Sequence, residues 1–157
     1  MRRASIDSAE PLRLDVLNPT MLHALVIEDR PMISELIAEE LYDLGFATVE
    51  IAAGERQAIE AAERHCPDLI VSDDKIIGGS GVTAVHEICR ERVIAVVFVV
   101  GDPGSVQTNL PFATVLAKPF RSAQLENAIG EAVLLAREHS RMRAVRDHGV
   151  AYPWDRI

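Results

Sequence analysis

Apolar runs and helical stripes alternate along most of this chain. Leu22–Ile27 is a short apolar run that reads as a strand. Pro31–Leu44 follows with Ile33, Leu36, Ile37 and Leu41 at helical spacing, Pro31 in the first turn, where proline is tolerated, and Gly45 as its stop. Thr48–Ala52 predicts a second strand and Glu55–His65 an alanine-rich helix halted by Pro67. Leu69–Ser72, Ile94–Val100 and Thr114–Ala117 predict three more strands, and Gly81–Arg92 a helix with Val82, Val85, Ile88 and Cys89 on one face. Ser122 is placed to cap a last long helix, whose stripe is Leu125, Ala128, Ile129, Ala132, Val133 and Ala136.

Repeated alternation of strand and helix implies a parallel sheet covered on both faces, and right-handed crossovers make it doubly wound. The unbroken apolarity of Ile94–Val100 implies burial on both faces. Between the fourth and fifth strands lie only Gly101 to Ala113, with Pro103, Gly104 and Pro111 among them. A full helix does not fit there, and Ser105–Asn109 makes at most one or two turns.

Bulk composition narrows the picture. The 157 residues suffice for one domain with short tails, and the 48% hydrophobic fraction with only 4% aromatics predicts an aliphatic core. A net charge of −8 argues against general nucleic-acid binding, which relies on Lys and Arg at phosphates. From Glu28 to Glu63 there are ten acidic residues against two basic ones, Arg30 and Arg56. The longest apolar run, Val93 to Val100, is far short of a membrane span, and no apolar stretch follows Met1-Arg2-Arg3. A cytoplasmic location is expected. Cys66 and Cys89 lack metal or redox spacing and read as free thiols, and the five histidines form no zinc pattern.

Charge at strand ends carries the chemistry. The first strand stops at Glu28-Asp29, the third at Asp73, the fifth at Lys118-Pro119. In a parallel sheet these ends share one edge, where ligands of doubly wound folds bind. Three carboxylates and one ammonium at one edge suit a divalent metal and a phosphoryl group better than they suit a core. Each has a plainer reading: Glu28-Asp29 as acids opening a helix, Lys118 as an exposed strand end. Gly78-Gly79-Ser80-Gly81 lacks the Lys-Ser/Thr of a phosphate-cradling loop, so its expected task is to turn the backbone.

Val26-Ile27-Glu28-Asp29, Pro67-Asp68-Leu69-Ile70-Val71-Ser72-Asp73, the loop through Gly81, and Lys118-Pro119-Phe120 together resemble the receiver domain of bacterial two-component response regulators. The resemblance covers about residues 22–136 and implies a flavodoxin-like sheet of order 2-1-3-4-5 with a shortened fourth helix. It also implies roles. Asp73 is the phosphoacceptor, attacking a phosphohistidine on a sensor histidine kinase or a phosphotransfer protein. Glu28, Asp29, Asp73 and the Lys75 backbone carbonyl hold Mg2+, and Lys118 contacts the phosphoryl oxygens. Asp74 competes with Asp73 as acceptor, and spacing from Pro67 and to Gly81 favours Asp73.

The chain departs from the receiver pattern at the switch. Val100 stands where receivers usually carry Thr or Ser, and Val115 where they carry an aromatic residue. The segment after Val100, with Gly79-Ser80-Gly81-Val82, resembles a divergent receiver subgroup found alone, in hybrid kinases and in stress-response regulators of alphaproteobacteria. The expected organisation is a flexible extension over residues 1–21, a receiver over 22–136, and a tail over 137–157 that prolongs the last helix and ends irregularly near Pro153. The expected function is a stand-alone response regulator that is not itself an enzyme and signals to an unknown output protein by contact or phosphorelay. Two rivals remain. One is a docking module of the same fold that works without phosphorylation. The other is a Mg2+-dependent phosphohydrolase, disfavoured by adjacent Glu28-Asp29 and little room for a substrate cap.

Overall fold

The structure, a computed structural model, describes residues 21–106 and 110–148. The extension expected over residues 1–21 and the end expected near Pro153 lie outside the described residues, apart from Met21. The elements are β1 (His23–Ile27), α1 (Pro31–Asp43), β2 (Thr48–Ala52), α2 (Glu55–Arg64), β3 (Leu69–Ser72), β4 (Lys75–Ile76), β5 (Gly79–Ser80), α3 (Gly81–Ile88), β6 (Ala95–Val100), β7 (Ala113–Ala117) and α4 (Ser122–His148). Five strands form one parallel sheet in the order β2-β1-β3-β6-β7. Counting only those five along the chain, this is the expected 2-1-3-4-5.

Period-two alternation divides each central strand between two cores. Ala24 and Val26 of β1, Leu69 and Val71 of β3, and Ala95, Val97 and Val99 of β6 pack with Ile37 and Leu41 of α1 and Leu125, Ile129 and Ala132 of α4. Leu25, Ile27, Ile70, Val96, Phe98 and Val100 point the other way, onto Ala58, Ala61 and Ala62 of α2 and Ala84, Val85 and Ile88 of α3. All six residues of β6 are buried, as its unbroken apolarity requires. Cys89 is a free thiol inside the second core, where burial raises its pKa to about 11, and Cys66 is free and exposed.

Several element ends differ from the sequence reading. The helix after Gly81 stops at Ile88, because Arg90, Glu91 and Arg92 are exposed and give a further turn nothing to bury. Ser122 is the first residue of α4, not its cap. Arg121 takes the capping position, its N–H donating to Gln124 Oε1 at 2.7 Å, while the Ser122 hydroxyl bonds Glu40 of α1. The helix does continue past Ala136, reaching His148 after 27 residues, roughly 40 Å of rod. Between β6 and β7 the chain makes a single 3-10 turn, Pro103–Ser105, opened by Asp102 accepting from the Gly104 N–H at 3.1 Å. Residues 107–109 of the turn expected over Ser105–Asn109 lie outside the described residues.

The two-strand hairpin β4–β5 was not legible in the sequence. It pairs Lys75 with Ser80 and Ile76 with Gly79, antiparallel. Its two-residue loop is Ile77-Gly78, with Gly78 at φ 77°, the positive second position that a type II turn demands.

Candidate phosphoacceptor site

Backbone hydrogen bonds that continue the ladders past the strand ends set the site. The Glu28 N–H donates to the Ala52 carbonyl at 3.0 Å, the Asp73 N–H to the Ile27 carbonyl at 2.9 Å, and the Lys118 N–H to the Val100 carbonyl at 2.8 Å. Each functional residue is thereby registered one step beyond its neighbour's last strand residue. β1 and β3 are adjacent, so Glu28 and Asp73 stand side by side. β7 is separated from β3 by β6, so the lysine stem must cross the end of β6 to join them.

Lysine makes that crossing. Lys118 Nζ lies 3.0 Å from Asp73 Oδ2 and 3.6 Å from Glu28 Oε1. Asp73 Oδ1 accepts from the Asp74 N–H at 2.7 Å and the Lys75 N–H at 3.4 Å. Glu28 Oε2 accepts from the Arg30 N–H at 3.0 Å, which leaves Oε1 with the ammonium alone. Glu28 and Asp73 are both buried, and Lys118 is partly so.

Burial and pairing pull the carboxyl groups apart. Desolvation raises the Glu28 pKa, against the Arg30 N–H and Lys118, which lower it. Burial also pushes Asp73 upward, but hydrogen bonds from Asp74 and Lys118, with the ammonium's charge, bring it below its ordinary value. Asp74 goes the other way: its burial and its contact with Asp73 raise it. Of the adjacent pair, Asp73, which the lysine touches, is therefore the one more readily kept as a carboxylate.

Glu28 and Asp73 meet through Lys118. Asp29, next to Glu28 at the same strand end, is half-buried, makes no hydrogen bond or ion pair among the described residues, and its charge raises Glu28. Among those residues no group of three His, Cys, Asp or Glu side chains is gathered to hold a metal. The ammonium, placed between two carboxylates, draws them to itself and leaves Asp29 outside. The donor set still suits Mg2+: every candidate ligand is a hard oxygen, one or two carboxylates are enough when waters complete the shell, and Glu28 Oε1 accepts no hydrogen bond, facing only the Lys118 ammonium at 3.6 Å. Lys75, whose carbonyl is the fourth candidate, is exposed and paired with Ser80 in the hairpin.

Val100 closes β6 with its side chain fully buried in the α2–α3 core, and Val115, opposite Phe98 on β7, is exposed. Gly81 opens α3 where a Cβ would run into the Asp73 carbonyl and the Ser72 hydroxyl, so only glycine lets that helix start beside Asp73. Gly78 and Gly79 both have positive φ, so the glycine run does turn the backbone. Sequence reasoning missed Glu55, half-buried at the start of α2, whose Oε2 accepts from the Ser80 N–H at 2.9 Å. Acids at a first helical turn are too common to single it out.

The response regulator receiver domain family model matches residues 24–130. This chain belongs to that family. It is 32% identical over 118 residues to the transcriptional regulatory protein PdtaR of Mycobacterium tuberculosis, an alignment covering 73% of this chain and 58% of that one. Among solved structures it resembles the PhyR stress response regulator, with 30% identity and a TM-score of 0.64 over 74% of this chain and 46% of that one. It also resembles the receiver domain of a sensor histidine kinase from Pseudomonas aeruginosa, solved with a magnesium ion in its active-site cleft, at 25% identity and a TM-score of 0.62 over 73% and 98% of the two chains. The chain thus spans little more than half the length of the curated relative. No helix among the described residues is long and apolar enough to cross a membrane.

Proposed function

We propose that this receiver accepts one phosphoryl group on Asp73 from a phosphohistidine of a sensor histidine kinase or phosphotransfer protein in the cytoplasm, and passes the signal on by protein contact or relay. The observation that carries the reading is the Glu28–Lys118–Asp73 cluster at the carboxyl edge of the sheet. An Asp73 oxygen attacks phosphorus, the phosphorus–nitrogen bond breaks, and its electron pair leaves with the imidazole. Lys118 holds the carboxylate charged beforehand and shifts to a phosphoryl oxygen as that group arrives. Glu28, Asp29, Asp73 and the Lys75 carbonyl would hold Mg2+, and the charge it would supply there is what offsets a phosphoryl group's negative charge. The chain is then a recipient in phosphotransfer and not a turnover enzyme.

A groove of about 610 Å3 opens beside Lys118, between α1 and the turn after β7, with Ile33, Leu36, Ile37 and Phe120 on its walls. Glu39, Glu40 and Asp43 rim it. Apolar anchors with an acidic rim suit a partner helix carrying apolar and basic residues, and they bring its histidine to the acceptor edge. Val100 and Val115 deprive the domain of the usual hydroxyl and aromatic switch, so the response is expected near Asp74-Lys75 or in the loop after β6. Those two valines are also what favours the rival reading, a docking module that works without phosphorylation.

A phosphodonor with Mg2+ decides between them. Intact-mass measurement is expected to show one added phosphoryl group, absent in Asp73→Asn and largely kept in Asp74→Asn. No added mass on the parent protein overturns phosphorylation and leaves the docking module. A dead Asp74→Asn with a live Asp73→Asn moves the acceptor by one residue.

A further inference from the structure

The hairpin beside the acceptor is fastened at both ends to the start of α2. Gly54, just before that helix, forms a parallel bridge with Ile77 at the hairpin's tip. Glu55, the first helical residue, accepts the Ser80 N–H at 2.9 Å. Gly79 has φ 156°, and any Cβ there would strike the Glu55 carboxylate, so the two surfaces are in full contact. Ser80 in turn caps α3, its Oγ accepting from the Val82 N–H at 3.1 Å and the Thr83 N–H at 3.3 Å. One residue therefore joins α2, the hairpin and α3.

Ser80 is also the ladder partner of Lys75. Lys75 and Asp74 supply the two N–H groups that meet Asp73 Oδ1. Moving Ser80 moves Lys75, and with it the donors that orient the acceptor carboxylate. We infer that Glu55 is a positioning residue for the phosphoacceptor: by holding Ser80 it fixes the β4–β5 hairpin and, through Lys75, the Asp73 carboxylate. It acts across the hairpin and touches neither Asp73 nor the incoming group. The inference rests on the reading of Asp73 as the acceptor.

A contact of this kind needs an acceptor oxygen, not a charge. Glutamine at position 55 keeps the oxygen and alanine removes it. A carboxylate that merely favoured the helix N-terminus by its charge would be lost equally in both. The full chain and its Glu55→Gln and Glu55→Ala variants are compared by amide hydrogen exchange and by the rate of phosphoryl uptake from a small-molecule phosphodonor with Mg2+. In Glu55→Ala, exchange at Ser80 and Lys75 is expected to rise by on the order of 10-fold while β1 and β3 amides keep their parent rates. Phosphoryl uptake is expected to slow by about 10-fold, as displaced reacting groups do. Glu55→Gln is expected to stay within about 2-fold of the parent in both, since its amide oxygen still accepts. Parent-like exchange at Lys75 in the alanine variant overturns the inference, and so does unchanged uptake despite faster exchange. Equal loss in both variants overturns it in favour of charge at the helix start. A parent that takes up no phosphoryl group overturns the acceptor reading itself and reduces Glu55 to a hairpin contact, judged by exchange alone.

Discussion

The ends of β1, β3 and β7 and the end of β6 lie along one sheet edge, yet they are built from opposite materials. At the first three, buried Glu28 and Asp73 and the ammonium of Lys118 form a charged cluster that would be a liability in a core. At the fourth, Val100 is a fully buried aliphatic side chain whose backbone carbonyl serves the edge but whose side chain belongs to the α2–α3 core. The contrast separates two tasks within one domain. Under the proposed function, the charged cluster serves to accept a phosphoryl group, and valine in place of a hydroxyl removes one route by which that chemistry would reach an outer face.

The largest effect is expected from Lys118→Met. It leaves two buried carboxylates without their cation, and breaking a buried pair in this way costs about 3 kcal/mol at neutral pH, read from denaturant unfolding. Millimolar Mg2+ is expected to restore part of that loss, because an ion bound only by the native state stabilises it. A variant as stable as the parent means the cluster is screened by solvent and the contrast between the two edges is shallower than drawn.

Gly81→Ala is expected next, at about 1–3 kcal/mol, since the new methyl group must displace the Asp73 carbonyl or the Ser72 hydroxyl. Its thermal unfolding is compared with that of Gly101→Ala, where a Cβ meets nothing. Equal losses at the two glycines break the claim that α3 is packed tightly against the acceptor.

Val100→Thr probes the aliphatic edge. A buried, unpaired hydroxyl there costs about 1–2 kcal/mol without a phosphoryl group, and beryllofluoride with Mg2+ is expected to stabilise the variant more than it stabilises the parent. Equal stabilisation of both shows that position 100 does not face the phosphoryl site.

Acid titration gives the smallest and most selective effect. The Glu28 pKa is raised in the folded protein, so between its unfolded value of 4.5 and the folded one the native state binds more protons, and stability falls as pH rises through that window. Asp73 is lowered, so its contribution is present above 3.8 and is lost as pH falls through its folded value. Glu28→Gln is therefore expected to flatten the stability profile above pH 4.5 and leave the loss below 3.8 in place. An unchanged slope above pH 4.5 removes Glu28 from the account.

Most of this edge was legible in the sequence because strand ends leave a mark. An aliphatic run that stops at Glu28, Asp73 or Lys118 names both the element and the residue at its end, and parallel alternation then places those ends together. The parallel sheet and both helix layers follow from the same periodicity, while the strand order came from the resemblance to receiver domains. What stayed hidden depends on contacts between segments far apart in the chain. Glu55 meets Ser80 across 25 residues, and the hairpin is only two residues deep on each side, too short to show a period. Asp29 falling outside the ion pair was hidden for the same reason: adjacent acids look equivalent until the lysine's reach across β6 selects Glu28. The cap at Arg121 rather than Ser122 turns on Gln124 folding back, a choice that a serine beside a helix start conceals.

The separation of chemistry from switch is tested most directly by an amide NMR spectrum of the full chain recorded before and after adding Mg2+ and beryllofluoride. Shifts are expected at Glu28, Asp29, Asp73, Asp74, Lys75 and Lys118 and in the loop after Val100, with β6 and β7 near their starting positions. Large shifts along β6 and β7, through Phe98 and Val115, contradict the account, because they show the phosphoryl site driving that face without a hydroxyl or an aromatic ring.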